Sequence, residues 1–353
     1  MLHAHIARSP ASLCDKSSRI PRVLSDIVRK LTVKMPEDRY QTAEGLCRDL
    51  ERCLANLEPD GAVEYFEPGG ADDVGRFCIP DKLYSREKEA FAILDAFDRV
   101  RKGSVEMVLV SGYPGAGKTA LVEKVCKPLM ERHGYFISGK FDQLQRNAPY
   151  SSLIQAFRWM ARFMLTESRH SLSQWKRTLS DALSSNARVM AELIPELELV
   201  LGPLPALPEL PPKESDNRFR TAFRKFVGAL ADKEHPLAIF LDDLQWIDNP
   251  SLKLIQGILS SPEASYLMII GAYRHTETGP DHSLTRWLED LDEKFKARES
   301  LWLKALEPET VWLMVGDVFQ CDYRSALDLA GLAFEKTRGN PKSGFRHILP
   351  ATI

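Results

Sequence analysis

Met107-Val108-Leu109-Val110-Ser111-Gly112-Tyr113-Pro114-Gly115-Ala116-Gly117-Lys118-Thr119 is the stretch on which the reading of this chain turns. Its first four residues are an unbroken apolar run, the pattern of a strand buried on both faces. The eight from Gly112 onward match G-x-x-x-x-G-K-[ST] in full. Gly112 and Gly117 permit backbone conformations that a Cβ would block, so successive N–H groups turn into the loop and form an anion nest. A helix starting near Lys118 adds its N-terminal partial charge to that nest. In such a loop Gly112, Tyr113, Pro114, Gly115, Ala116 and Gly117 cradle phosphates, Lys118 reaches the β and γ phosphates, and the Thr119 hydroxyl ligates Mg²⁺. The pattern implies nucleotide binding.

Hydrolysis needs more than a cradle: a carboxylate for the metal and a group that orients water. Leu237-Ala238-Ile239-Phe240-Leu241-Asp242-Asp243 is an apolar strand ending in paired acids. Asp242 is the candidate to hold Mg²⁺, directly or through water, and Asp243 the candidate to polarise the attacking water. The competing reading of Asp243 is a partner that orients a metal ligand. Asn249 and Pro250 supply the N-cap and first position of the next helix. Arg274 follows the strand candidate Tyr266 to Ile270, where a guanidinium can face the γ phosphate; a surface ion pair is the competing reading. Arg218 is a weaker candidate for the same contact. In parallel sheets ligands gather at the carboxyl ends of strands, where the glycine-rich loop and the acidic pair both fall.

Around these motifs, strand candidates at Met107 to Val110, Tyr135 to Ser138, Leu237 to Leu241, Tyr266 to Ile270 and Leu301 to Leu303 alternate with helical stretches. That alternation predicts an α/β fold: a P-loop NTPase core with a parallel sheet covered by helices, plus flanking helical segments. The five prolines between Gly202 and Pro212 predict an extended surface connection. Val311 to Phe319 and Arg324 to Lys336 read as helices, and Gly339-Asn340-Pro341 as the stop after the second. Upstream, Val23, Leu24, Ile27, Val28 and Leu31 form a helical stripe that Pro36 ends. A second helix starts after Thr42 as N-cap, with Leu46, Leu50, Cys53 and Leu54 as its stripe. Two short helices bury little by themselves, so exposed apolar faces are expected there. The Gly, Pro, Asp and Glu of 58–73 mark a linker.

The 353 residues amount to two or three domains. Their 44% hydrophobic and 27% charged content is that of a folded chain. With 47 Lys and Arg against 49 Asp and Glu, the net charge of −2 provides no basic field for nucleic acid. Cys14, Cys47, Cys53, Cys78, Cys126 and Cys321 lack C-x-x-C spacing and read as buried thiols in a reducing, cytoplasmic setting. No run approaches the 18 or more apolar residues of a membrane span.

The glycine-rich loop, Asp242-Asp243-Leu244-Gln245-Trp246, Arg274 and the Gly-Asn-Pro turn together resemble the signal-transduction ATPases with numerous domains (STAND), a branch of the AAA-like P-loop ATPases. More narrowly, Leu83-Tyr84-Ser85-Arg86-Glu87, Gly134 to Asp142, Ile194-Pro195-Glu196-Leu197 and Leu210-Pro211-Pro212 resemble the ATPase module of hybrid signalling proteins. In these a serine/threonine kinase-like domain precedes the ATPase, and GAF and histidine kinase domains follow it. The resemblance implies an ATP-binding, slowly hydrolysing regulatory switch with those domains as partners. ATP rather than another nucleotide follows from the resemblance alone, as does a contact of Pro341 with the base. It also implies that 1–56 are the last helices of a kinase-like lobe, 57–80 a linker, 81–300 the ATPase core and 301–353 an incomplete lid.

The chain departs from the family at Ser85, where the family has Gly. No kinase glycine loop, V-A-I-K, H-R-D or D-F-G precedes Arg39, so kinase phosphoryl transfer is not expected of this polypeptide. Competing readings are a nucleic-acid-coupled ATPase of the origin-recognition type, which the charge balance disfavours, and an ATP-binding scaffold without turnover.

Overall fold

The computed structural model describes residues 12–16, 20–33, 38–40, 42–58, 62–70, 72, 82–145, 149–208, 210–295, 298–319 and 323–343. Two compact units emerge, Met1–Pro80 with Val315–Ala326, and Asp81–Met314 with Leu327–Ile353.

The first unit contains α1 (Leu13–Lys16), α2 (Arg22–Leu31) and α3 (Ala43–Ala55). Thr42 caps α3, its side chain accepting from the Gly45 N–H, as its position before the apolar stripe predicts. Val23, Ile27, Cys53 and Phe66 form a small core. Leu24 and Leu46 pack against it, while Val28, Leu31, Leu50 and Leu54 of the same stripes are exposed. Within the stretch read as a linker, residues 62–70 fold against these helices, with Phe66 in the core and the Gly69 N–H donating to Asp49. Pro36, the expected stop of α2, lies outside the described residues, as do Cys78 and Cys321.

The second unit is built on five parallel strands: β1 (Val105–Gly112), β2 (Tyr135–Lys140), β3 (Leu237–Asp242), β4 (Leu267–Arg274) and β5 (Arg298–Leu303). Their order is β2-β3-β4-β1-β5, and all five correspond to apolar runs of the sequence. Alternate residues face opposite ways. Met107, Leu109, Ile137, Ile239, Leu241 and Ile269 join the larger core. Val108, Val110, Ala238, Phe240, Met268, Ile270 and Ala272 join the other, against α4 (Glu87–Val100) and α5 (Lys118–Glu131). The sheet is therefore the middle layer of three, which explains why its inner strands β3, β4 and β1 are buried almost throughout, while the edge strands β2 and β5 keep exposed residues.

Between β2 and β3 the chain inserts α6 (Ser151–Thr166), α7 (Arg169–Leu183), α8 (Ala187–Leu193), α9 (Glu196–Leu201) and α10 (Pro212–Leu230). Phe157 of α6 meets Phe223 and Phe226 of α10 edge-on at 5.3 and 5.4 Å, an arrangement aromatic rings favour. The described residues of the proline-rich connection are non-helical up to Pro211, and Pro212 opens α10. After β3, α11 (Asn249–Leu259) is capped by Asp248, whose side chain accepts from the Ser251 N–H; the cap lies one residue before the expected Asn249, because Asp248 has the extended backbone a cap requires. Then come α12 (Ser283–Lys294), α13 (Pro308–Phe319) and α14 (Tyr323–Thr337). Gly339, at φ +75°, ends the last as its turn motif predicts. No helix among the described residues is long and apolar enough to cross a membrane.

One ion pair ties α6 to α9. The Arg158 guanidinium donates to both oxygens of Glu196, and Arg162 adds a further bond. Hydrogen bonding by Arg158 is the main cause that holds the Glu196 carboxyl down at about 2, from an ordinary value of 4.5. A depressed carboxyl pKa contributes stability that is complete above the unfolded value and is lost as pH falls through the folded one. Denaturant titrations between pH 5 and pH 2 should therefore show a decline that is shallower in Glu196→Gln than in the wild type.

Candidate functional site

Strand register brings the site together. Gly112 at the end of β1 pairs with Arg274 at the end of β4 and with Leu303 at the end of β5, while Lys140 at the end of β2 pairs with Asp242 at the end of β3. Five strand ends thus converge on one rim of the sheet.

The glycine-rich loop leaves that rim after Gly112. Gly115 (φ +80°) and Gly117 (φ +90°) take left-handed conformations that favour glycine. Gly112 is required for another reason than its expected conformational freedom: its φ is not positive, but an added Cβ would lie 2.9 Å from the Leu303 carbonyl oxygen. Gly117 caps α5, which begins at Lys118, so the helix N-terminus opens onto the loop. The Lys118 Nζ donates to the carbonyl oxygens of Gly112 and Tyr113 at 3.1 and 3.0 Å. Burial pushes its ammonium below the ordinary lysine value and Arg274 adds to that, opposed by Asp242, Asp243 and Glu277. Those groups therefore share one electrostatic neighbourhood. Tyr113 is half exposed and packs edge-on against Trp302 of β5 at 5.8 Å.

The acidic pair completes the site from β3. The Thr119 hydroxyl donates to Asp242 Oδ2 at 2.9 Å, so two hard oxygens of the kind that could hold a cation lie side by side. Asp242 and Asp243 are both buried. Asp243 has φ +54°, and its N–H donates to Asp242 Oδ1 at 2.9 Å. Its own carboxylate meets Lys140 Nζ at 3.3 Å, Arg274 Nε at 3.4 Å and the Gln245 side-chain amide at 2.8 Å. Arg274 also bonds Glu277 at 2.8 Å, the main cause that holds its guanidinium above the usual arginine value. Arg218 does not join this group, since its guanidinium donates to the Pro208 carbonyl.

Two further segments close on the loop. Arg86 is buried and donates to the Lys304 and Ala116 carbonyl oxygens, burial holding its pKa below the ordinary arginine value. Ser85 beside it takes the left-handed φ of +52°, a backbone suited to the glycine found in the family, and its hydroxyl lies 2.7 Å from that of Thr310. In the turn after α14, the Asn340 side chain donates to the Pro114 carbonyl at 2.7 Å and the Lys342 N–H approaches the Gly115 carbonyl at 3.4 Å. A Cβ on Gly115 would lie 2.5 Å from Asn340 Oδ1, so that glycine serves this close approach as well as the turn.

A family model of the AAA ATPase domain matches residues 82–270. The chain belongs to the AAA ATPase domain family. Hybrid signal transduction histidine kinase G of Dictyostelium discoideum is 37% identical over 281 residues, which cover 74% of this chain and 8% of that protein. This AAA ATPase domain chain therefore spans about a twelfth of that relative's length. Among solved structures, a signal transduction ATPase with numerous domains from Pyrococcus horikoshii, with a tetratricopeptide repeat sensor, aligns at TM-score 0.37 and 13% identity over 76% of this chain and 30% of that one. Cdc6p of Pyrobaculum aerophilum aligns at TM-score 0.45 and 12% identity over 77% and 61%.

Lys140, Gln245, Glu277, Arg86 and Asn340 had no role in the motif reading. Lys140, Gln245, Arg86 and Asn340 belong to recognisable motifs, but only their contacts single them out. Removing Arg86 leaves two carbonyl oxygens short of a donor. Arg86→Ala should lose roughly 1–3 kcal/mol of stability in urea unfolding monitored by circular dichroism.

Proposed function

We propose that this AAA ATPase domain binds ATP with Mg²⁺ and hydrolyses it slowly, as a regulatory switch beside other signalling domains in the cytoplasm. The observation that carries the reading is the Thr119–Asp242 contact beneath a left-handed glycine loop, with Asp243 held next to it by Lys140, Gln245 and Arg274.

The N–H groups of the loop and of the first turn of α5 bind phosphate oxygens, and Lys118 exchanges its carbonyl partners for the β and γ phosphates. The oxygens of Thr119 and Asp242 would hold Mg²⁺, which would supply positive charge against the charge that develops on the phosphates. Asp243 orients a water and accepts its proton as the water oxygen bonds to the γ phosphorus and the bond to the β-phosphate oxygen breaks. Arg274, from the neighbouring strand end, contacts the γ phosphate and is released with it. Asn340 and Pro341 lie on the turn that touches the loop, which supports a lid that follows the state of the nucleotide, with Pro341 against the base. In the same reading 1–56 are the end of a kinase-like lobe, 57–80 a linker, 81–300 the ATPase core and 301–353 part of the lid, with kinase-like, GAF and histidine kinase domains as partners. The family match and the histidine kinase relative support the signalling context.

Isothermal titration with ATP, ADP and GTP, with and without Mg²⁺, together with phosphate release, tests the assignment. Lys118→Ala should abolish ATP binding. Asp243→Asn should leave affinity within about twofold and lower turnover by roughly 10²-fold or more. Normal ATP binding by Lys118→Ala would mean the site is misassigned. Binding without any Lys118-dependent phosphate release would favour a scaffold, and stimulation of turnover by DNA a nucleic-acid-coupled ATPase.

A further inference from the structure

Gln245 is fully buried in the short turn Leu244–Trp246 that follows β3, and its side chain spans two groups of the site. Its Nε2 donates to Asp243 Oδ1 at 2.8 Å, and its Oε1 accepts from the backbone N–H of Arg274 at 3.0 Å. Chemistry dictates which way the amide faces. An ionised carboxylate only accepts and a backbone N–H only donates, so a flipped amide would lose both bonds.

The other groups facing Asp243 are poorer at setting its orientation. Lys140 from β2 has a largely exposed side chain, and Arg274 from β4 is a third exposed and shared with Glu277. Exposed ion pairs of long side chains contribute little and hold geometry loosely. Asp242, on the same strand as Asp243, is engaged by Thr119 and by the Asp243 N–H. Only the Gln245 amide is enclosed, short and neutral. A Cβ on Gly271 of β4 would meet the end of the Leu244 side chain, so that glycine lets the first residue of the turn pack directly on the strand.

We infer that Gln245 is a positioning residue for hydrolysis: its carboxamide fixes the Asp243 carboxylate relative to the β4 end that carries Arg274. The inference rests on the ATPase reading above and adds to it the residue that aligns two of its groups. The donor end acts on turnover through Asp243. The acceptor end acts on the backbone of β4.

The two ends can be separated. Gln245→Glu is nearly isosteric and keeps an acceptor for the Arg274 N–H while losing the donor to Asp243. Gln245→Leu loses both. Each should lower kcat about 10-fold to 100-fold with KM for ATP within about twofold. In an Asp243→Asn background Gln245→Glu should cause no further loss, because a residue that acts only through Asp243 is silent once that carboxylate is gone. Hydrogen exchange of the segment covering residues 270–275 should accelerate in Gln245→Leu and stay at the wild-type rate in Gln245→Glu. If Gln245→Leu does not fold, Gln245→Glu decides alone. Wild-type kcat in Gln245→Glu, or a loss that multiplies with that of Asp243→Asn, would overturn the inference and leave the ATPase reading intact. A wild-type protein with no Lys118-dependent phosphate release would overturn both.

Discussion

An ammonium, two carboxylates and a guanidinium converge at the carboxyl rim of an otherwise apolar sheet, and the structure around them is arranged to make that convergence tolerable. Lys118, Asp242 and Asp243 are all buried. Unpaired, each would carry a desolvation cost of several kcal/mol. Together they offset one another: Lys118 lies in the field of both acids, Asp242 accepts from Thr119, and Asp243 meets Lys140, Arg274 and Gln245. Parallel strands bring this about, because each strand must deliver its last residue to the same rim.

That rim is supported by backbone as much as by side chains. Arg86 bonds the carbonyl oxygens of Ala116 within the glycine loop and of Lys304 just after β5, and Asn340 bonds the carbonyl of Pro114. The segment entering the core and the turn that follows its last helix therefore rest on the same loop. A loop that rearranges around phosphate would act on both. Gly112 and Gly115 permit this crowding, one against the Leu303 carbonyl and the other against Asn340. The glycines of the motif thus serve packing around the loop as well as its turn.

Much of this was legible before any coordinates. The three inner strands announce themselves as apolar runs, because burial on both faces leaves no polar alternation, and the edge strands β2 and β5 show through the shorter apolar stretches at Tyr135 to Ile137 and Leu301 to Leu303. Thr42 announces its helix because a cap is a local hydrogen bond. The cap of α11 was misread by one residue, since Asp248 and Asn249 are both good caps and only the backbone angle separates them. Phe66, in a stretch rich in Gly, Pro and Glu, joins the small core of the first unit, which composition cannot reveal.

By itself the sequence determined which chemical groups are available: a glycine-rich loop with its lysine, a threonine hydroxyl, two adjacent carboxylates and an arginine. Those are carried by residue types at short, fixed spacing, so they survive without a fold. Tertiary structure decided which groups act together. Gln245 bonds a residue 29 positions away, Thr119 one 123 away and Asn340 one 226 away. Arg218, the weaker candidate arginine in the sequence, is turned toward Pro208. Pairings at such separations depend on strand order and register, which arise from how the two faces of the sheet bury their side chains.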